Sequence, residues 1–239
     1  MFMLFSCANF SSEENCKKSQ PNSNLADMIV SVHGFGRNES AMKKLSDHFA
    51  CEGFVSKVVG YKTFSQELNE IEDEFFSKIN KLNLNKYRKV HFVGHSFGGL
   101  LIRSYLKEHK LKNLGKVVNI GSPSKGTPVV DHIKDRWWFN CLIPAAVSMS
   151  SQGSKFLDKI KNPDYPLGII AGIKDVGGML DGKNDGIVPL KSTKVEGMTD
   201  FIEIKSGHGM LRYNEDVAKQ SVTFIRYGKF QKKDHFISK

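Results

Sequence analysis

The chain has little of what marks a fibrous, disordered or membrane-spanning protein. Only 7 of its 239 residues are proline and its 21 glycines follow no period, which excludes a collagenous or proline-rich extended chain. No apolar run nears the roughly 20 residues that a membrane helix needs, so any membrane contact would be peripheral. The four cysteines, Cys7, Cys16, Cys51 and Cys141, are too few and too dispersed for a disulfide scaffold or a CxxC metal site, and they read as free thiols. The net charge is +10, but no arginine cluster, RNP-like aromatic set or zinc-finger spacing goes with it. Nucleic acid is therefore not an expected partner, and the charge reads as a solvated basic surface with some attraction for acidic substrates or lipid headgroups.

What is present is a globular composition, 40% hydrophobic and 25% charged, at a length comfortable for one α/β sheet domain. The first ten residues are apolar but have no basic n-region. Leu4-Phe5-Ser6-Cys7 resembles a lipoprotein cleavage box only in outline, since Phe5 is too bulky for it. The compartment stays open between cytoplasm and export. Residues 1–24, polar from Ser11 to Asn24, are expected to be a flexible leader, with a single domain over 25–239.

Within that domain, short apolar runs alternate with helical patterns. Strands are predicted at Met28–Val32, Phe54–Tyr61, Val90–Val93, Val117–Ile120, Leu167–Ala171 and Phe201–Ile204. Helices are predicted between them, the clearest from Ser65 to Leu84 with Leu68, Ile71, Phe75, Phe76, Ile79 and Leu82 on one face, and a last one over Asn214–Tyr227. This alternation means a mostly parallel sheet with helices on both faces. Residues 129–166 interrupt it with short helical patches and two adjacent tryptophans, and read as an insert too apolar to be disordered.

Gly94-His95-Ser96-Phe97-Gly98 fits a Gly-x-Ser-x-Gly nucleophile elbow between a strand and a helix, where glycines are needed because the turn brings backbone against backbone. A serine hydroxyl needs a base, and the base an orienting acid. His208 follows the last strand and is the expected base, ahead of His91 inside a strand, His95 beside the serine and His235 in the basic tail. Asp185, in Asn-Asp-Gly-Ile-Val-Pro, is the expected acid, with Asp175 and Asp181 as competitors on the same loop. The oxyanion of a tetrahedral intermediate needs two N–H donors, and Phe97 and Phe35 are placed to supply them, Phe35 from the His33-Gly34-Phe35-Gly36 loop after the first strand.

Together with the run Gly121-Ser122-Pro123-Ser124-Lys125-Gly126-Thr127, these motifs resemble the α/β-hydrolase superfamily, in its lipase and esterase branch, which includes small bacterial esterases and GPI inositol-deacylase-like proteins. Ser122 and Ser124 stand where many relatives have Thr and His. The resemblance spans about residues 28–228 and implies a serine carboxylic-ester hydrolase working through an acyl-enzyme, with no metal or organic cofactor. The same machinery could serve acyl transfer or cleave a thioester or lipid amide, and a hydrolase-fold binding protein without turnover is the rival from another class. The expected partner is a small-molecule ester or lipid substrate. The insert at about 129–166 sits where such hydrolases carry a short cap over the site, and its Trp137, Trp138 and Leu142 are candidate substrate-binding residues that could line an acyl pocket.

Overall fold

In the computed structural model, residues 26–160, 162–174, 180 and 182–232 are described. The expected leader, Asp175, Asp181 and His235 lie outside them. Six strands form one sheet: β1 (Asp27–Val32), β2 (Val55–Val59), β3 (Lys89–His95), β4 (Leu114–Ile120), β5 (Leu167–Ile173) and β6 (Asp200–Lys205). The spatial order is β2-β1-β3-β4-β5-β6, and every neighbouring pair is parallel. Parallel strands pack on both faces, so their side chains alternate between two cores. Met28, Val30, Val90, Phe92 and Leu167 enter one cluster, while Ile29, Val93, Val118 and Ile170 enter the other.

Helices α2 (Leu68–Asn80) and α3 (Phe97–Glu108) cover the first face, and α1 (Lys43–Cys51) and α8 (Glu215–Tyr227) the second. The α2 stripe buries Ile71, Phe75 and Ile79, and a capping box between Glu67 and Glu70 starts the helix. Asn214 caps α8 by accepting from the N–H groups of Asp216 and Val217, and Gly228 ends it with φ +74°. This is the α/β architecture the alternation predicts. Two details differ. The helical stretch expected between β1 and β2 opens as a 3₁₀ turn, Glu39–Met42, and a short helix, α7 (Leu190–Thr193), has no counterpart in the sequence pattern.

Between β4 and β5 the chain holds α4 (Pro128–Ile133), α5 (Trp137–Leu142), a 3₁₀ segment (Pro144–Met149) and α6 (Lys155–Lys159). Phe139, Ala145, Ala146, Met149, Phe156 and Leu157 anchor this stretch on the first core. Among the described residues no helix is long and apolar enough to cross a membrane. Cys51 is disulfide-bonded, which corrects the reading of four free thiols; Cys141 is free and exposed.

Strand order decides where a site can form. From β1 the chain steps outward to β2, then returns to place β3 on the other side of β1. The connections leaving β1 and β3 thus run to opposite faces, to α1 and α3, and a crevice opens at the carboxyl ends of these two strands.

Candidate active site

Ser96 sits in that crevice, between β3 and α3, with φ +54° and ψ −125°. A left-handed φ is costly for a residue with a Cβ. The surroundings hold it there: the Ser96 N–H donates to the Ile120 carbonyl at 2.8 Å, and the Ser96 carbonyl accepts from the Gly99 N–H at 3.1 Å. The flanking glycines are steric necessities. A Cβ on Gly98 would lie 2.4 Å from the His33 carbonyl oxygen, and one on Gly94 2.5 Å from the Gly99 backbone. Ser96 is 8% exposed.

His208 Nε2 lies 3.0 Å from Ser96 Oγ, and His208 Nδ1 lies 2.8 Å from Asp185 Oδ2. A carboxylate only accepts, so Nδ1 carries the proton and Nε2 faces the serine hydroxyl as an acceptor. The other carboxylate oxygen, Oδ1, accepts from the N–H groups of Ile187 at 3.0 Å and Val188 at 2.7 Å. The Asp185 carbonyl also accepts from the His208 N–H at 2.8 Å. Acid loop and histidine loop are thereby tied through backbone and side chain alike, and Asp185 is buried. Among the described residues proposed as base or acid, His208 and Asp185 are the ones joined in series with Ser96.

His91 and His95 have structural partners instead. His91 Nδ1 accepts from the Lys116 N–H at 2.9 Å, and burial pushes His91 down to about 4. His95 is fully buried, its Nε2–H donating to the His208 carbonyl at 3.0 Å, and burial also holds it well below the usual histidine range. It stays neutral and props the loop that carries His208.

Phe97 is the first residue of α3, so its N–H has no carbonyl within the helix to bond. Phe35 faces it from the loop after β1, the two rings meeting edge-on at 5.5 Å. Among the described residues neither N–H has an acceptor. Gly34 allows this approach, since a Cβ there would fall 2.9 Å from Ser96 Cβ. His33 fixes the loop from below. Its Nδ1–H donates to the Gly34 carbonyl at 2.8 Å, its Nε2 accepts from the Tyr61 N–H at 3.2 Å, and its ring stacks on Tyr61 at 4.3 Å. Burial lowers the His33 pKa and keeps that arrangement uncharged.

Trp137, Trp138 and Leu142 lie on α5 and are 80%, 40% and 54% exposed. The Ser65 N–H donates to the Leu142 carbonyl at 2.8 Å, which sets α5 beside the loop after β2, where Phe64 is also exposed. These side chains form an open apolar surface at the carboxyl edge rather than a closed pocket. Sequence reasoning missed another feature of this edge, a groove holding Arg37 and Arg212. Arginine four positions after the histidine was the available signal.

The family model described as palmitoyl protein thioesterase matches residues 28–163. An abhydrolase domain-containing protein of Caenorhabditis elegans is 28% identical over 167 residues, 65% of this chain and 34% of that protein. The chain thus spans about a third of the length of this curated relative. Among solved structures, the mature form of Bacillus licheniformis lipase BlEst2 superposes with a TM-score of 0.65 at 20% identity, covering 86% of this chain and 91% of that one. A lipase-esterase related protein from Clostridium acetobutylicum gives 0.60 at 16%, covering 85% and 96%. At these identities the likeness is one of fold, the α/β-hydrolase fold.

Proposed function

The chain belongs to the palmitoyl protein thioesterase family, and on that premise we propose that it hydrolyses an acyl ester or thioester through an acyl-enzyme on Ser96. The observation that carries this reading is the hydrogen-bonded series Ser96, His208, Asp185. In the first half-reaction Ser96 Oγ attacks the acyl carbonyl carbon while its proton passes to His208 Nε2. The carbonyl electrons move onto oxygen, and the N–H groups of Phe35 and Phe97 hold that oxyanion. As the intermediate collapses, the bond to the alcohol oxygen or thiol sulfur breaks and His208 returns the proton to the leaving group. Water, deprotonated by the same Nε2, then attacks the acyl-enzyme, releasing a carboxylic acid and restoring the Ser96 hydroxyl. Asp185 keeps the proton on His208 Nδ1 and balances the imidazolium.

The family's name points to a palmitoyl thioester. The exposed rings and methyls of Trp137, Trp138 and Leu142 support a long apolar acyl chain laid along α5. The test is a chain-length series of oxyesters and thioesters assayed side by side with wild type and Ser96→Ala. Turnover that rises with acyl length and disappears in Ser96→Ala is expected. Equal turnover in the two proteins would overturn the assignment.

A further inference from the structure

A groove of about 630 Å³ opens directly beside the oxyanion loop. It starts at Gly36, one residue after Phe35, and ends at Arg212 and Tyr213, just past His208. Its charged lining is entirely cationic, Arg37, Lys62 and Arg212, with no acid among the lining residues. Arg212 is 8% exposed, its Nε is buried with no hydrogen-bond partner, and its guanidinium rests over the Tyr213 ring at 4.6 Å. Among the described residues neither Arg212 nor Arg37 has an ion-pair partner. The acids on adjoining elements are engaged elsewhere. Glu39 accepts from the Gly60 N–H at 3.2 Å, and Glu74 accepts from the Lys62 N–H at 3.0 Å and from Lys78 Nζ at 2.8 Å.

Withdrawing a guanidinium from water with no acceptor costs free energy, and folded proteins normally answer a buried charge with an opposite one. Among the described residues no such opposite charge stands at this edge. A guanidinium pair around a concave wall suits an anion that accepts several hydrogen bonds at once, which is the geometry of a phosphate rather than of a neutral polar group. Thr63 lines the same wall and adds a hydroxyl donor, its Oγ1 accepting from the Gly36 N–H at 3.2 Å, whereas the Ser40 hydroxyl already donates to Asn38 Oδ1 at 2.6 Å. Both guanidinium groups also disfavour a proton on the His95 ring, which places them within electrostatic reach of the loop that carries His208.

We propose that this groove is an anion-binding subsite for a phosphate group, and that, on the hydrolase reading above, the phosphate is carried by the leaving group of the substrate. Phosphate chemistry has two sources, a soluble phosphorylated thiol or alcohol and a phospholipid headgroup, and the kinetic arms below tell them apart.

The direct test is calorimetric titration of the full chain with inorganic pyrophosphate, for wild type, Arg37→Gln, Arg212→Gln and Arg212→Lys. Wild type should bind, and each glutamine variant should bind about tenfold or more weakly, the usual loss for a hydrogen bond to a charged group. Arg212→Lys should fall between. Arg37 is exposed, so Arg37→Gln decides the matter if Arg212→Gln fails to fold. No binding by wild type, or unchanged affinity in Arg37→Gln, overturns the subsite.

The kinetic arms compare kcat/KM for a neutral thioester, the same acyl group on a soluble phosphorylated thiol, and a phospholipid in vesicles. A preference for a phosphorylated substrate that shrinks about tenfold in Arg37→Gln supports the proposal, and the substrate showing it identifies the source. Turnover of the neutral thioester with no preference for either phosphorylated one overturns the proposal while leaving the hydrolase reading intact. Pyrophosphate binding with no turnover of any ester would instead overturn the hydrolase reading and keep the anion site.

Discussion

Two grooves on opposite edges of one sheet invite comparison. The larger, about 810 Å³, lies at the amino ends of β1, β3 and β4. Its arginines are satisfied: Arg88 makes two 2.9 Å bonds to Asp27, and Arg226 reaches Glu52 at 2.9 Å. Lys116 Nζ donates to the Ile225 carbonyl at 2.6 Å. The smaller groove, at the carboxyl edge, has cations without acids among its lining residues, and on the same edge stand a serine at a left-handed φ and apolar side chains left in solvent. Size does not distinguish the two. The unpaired cations and the strained turn at Ser96 do, and both lie where strand order opens the sheet. On the hydrolase reading proposed above, the amino edge serves stability, and the carboxyl edge gives some up to hold Ser96 in its strained turn.

That division predicts that variants at one edge change activity without stability and variants at the other do the reverse. The largest expected effect is at the carboxyl edge. Asp185→Asn should keep the fold yet lower kcat about 10⁴-fold, the typical consequence of losing the tautomer. Kinetics and a melting curve on the same preparation check it. A mild loss, with a severe one in Asp175→Asn, would move the acid role to Asp175.

The next effect belongs to the amino edge. His91 is held neutral by burial, with its pKa lowered from 6.5 to about 4. In the unfolded chain the ring takes up a proton near pH 6.5, so below that pH the unfolded state binds more protons and stability falls. The stability present above pH 6.5 should be lost progressively toward pH 4, by up to about 3 kcal/mol from this ring. Denaturant unfolding across that range measures it. His91→Gln should flatten the acid slope without altering turnover of a short neutral ester at pH 8. An unchanged slope would mean that His91 does not carry the acid sensitivity.

The smallest expected effect concerns the tryptophans. Trp137 is 80% exposed, so Trp137→Ala should move stability by no more than about 0.5 kcal/mol. If the ring lies under the acyl chain, kcat/KM should fall more for a long acyl group than for an acetyl group, since each methylene removed from water is worth about 0.8 kcal/mol. Equal losses for long and short chains would detach α5 from substrate choice.

Legibility in the sequence followed the same boundary. Strand and helix positions were readable because burial on two faces forces apolar runs at the strand period. The elbow was readable because Gly94 and Gly98 mark backbone contacts that no Cβ can enter. Ser96, Asp185 and His208 were nameable because each lies on a loop after a strand of one parallel sheet, and such loops share an edge. What escaped were properties of tertiary pairing. Nothing local to Cys51 shows that it is disulfide-bonded, and nothing local to Arg212 shows that it lacks a partner while Arg88 has one. The insert was recognisable as an interruption, but periodicity in its short helices could not tell Phe139, which is buried, from Trp137, which is not.

The central claim is that Ser96 is an activated nucleophile. It is tested most directly by treating the folded chain with an acyl-like organophosphonate and locating the adduct by peptide mass mapping. A single stoichiometric adduct on Ser96 is expected, formed far more slowly in Asp185→Asn. An adduct on Ser122, or none in folded protein, would contradict it.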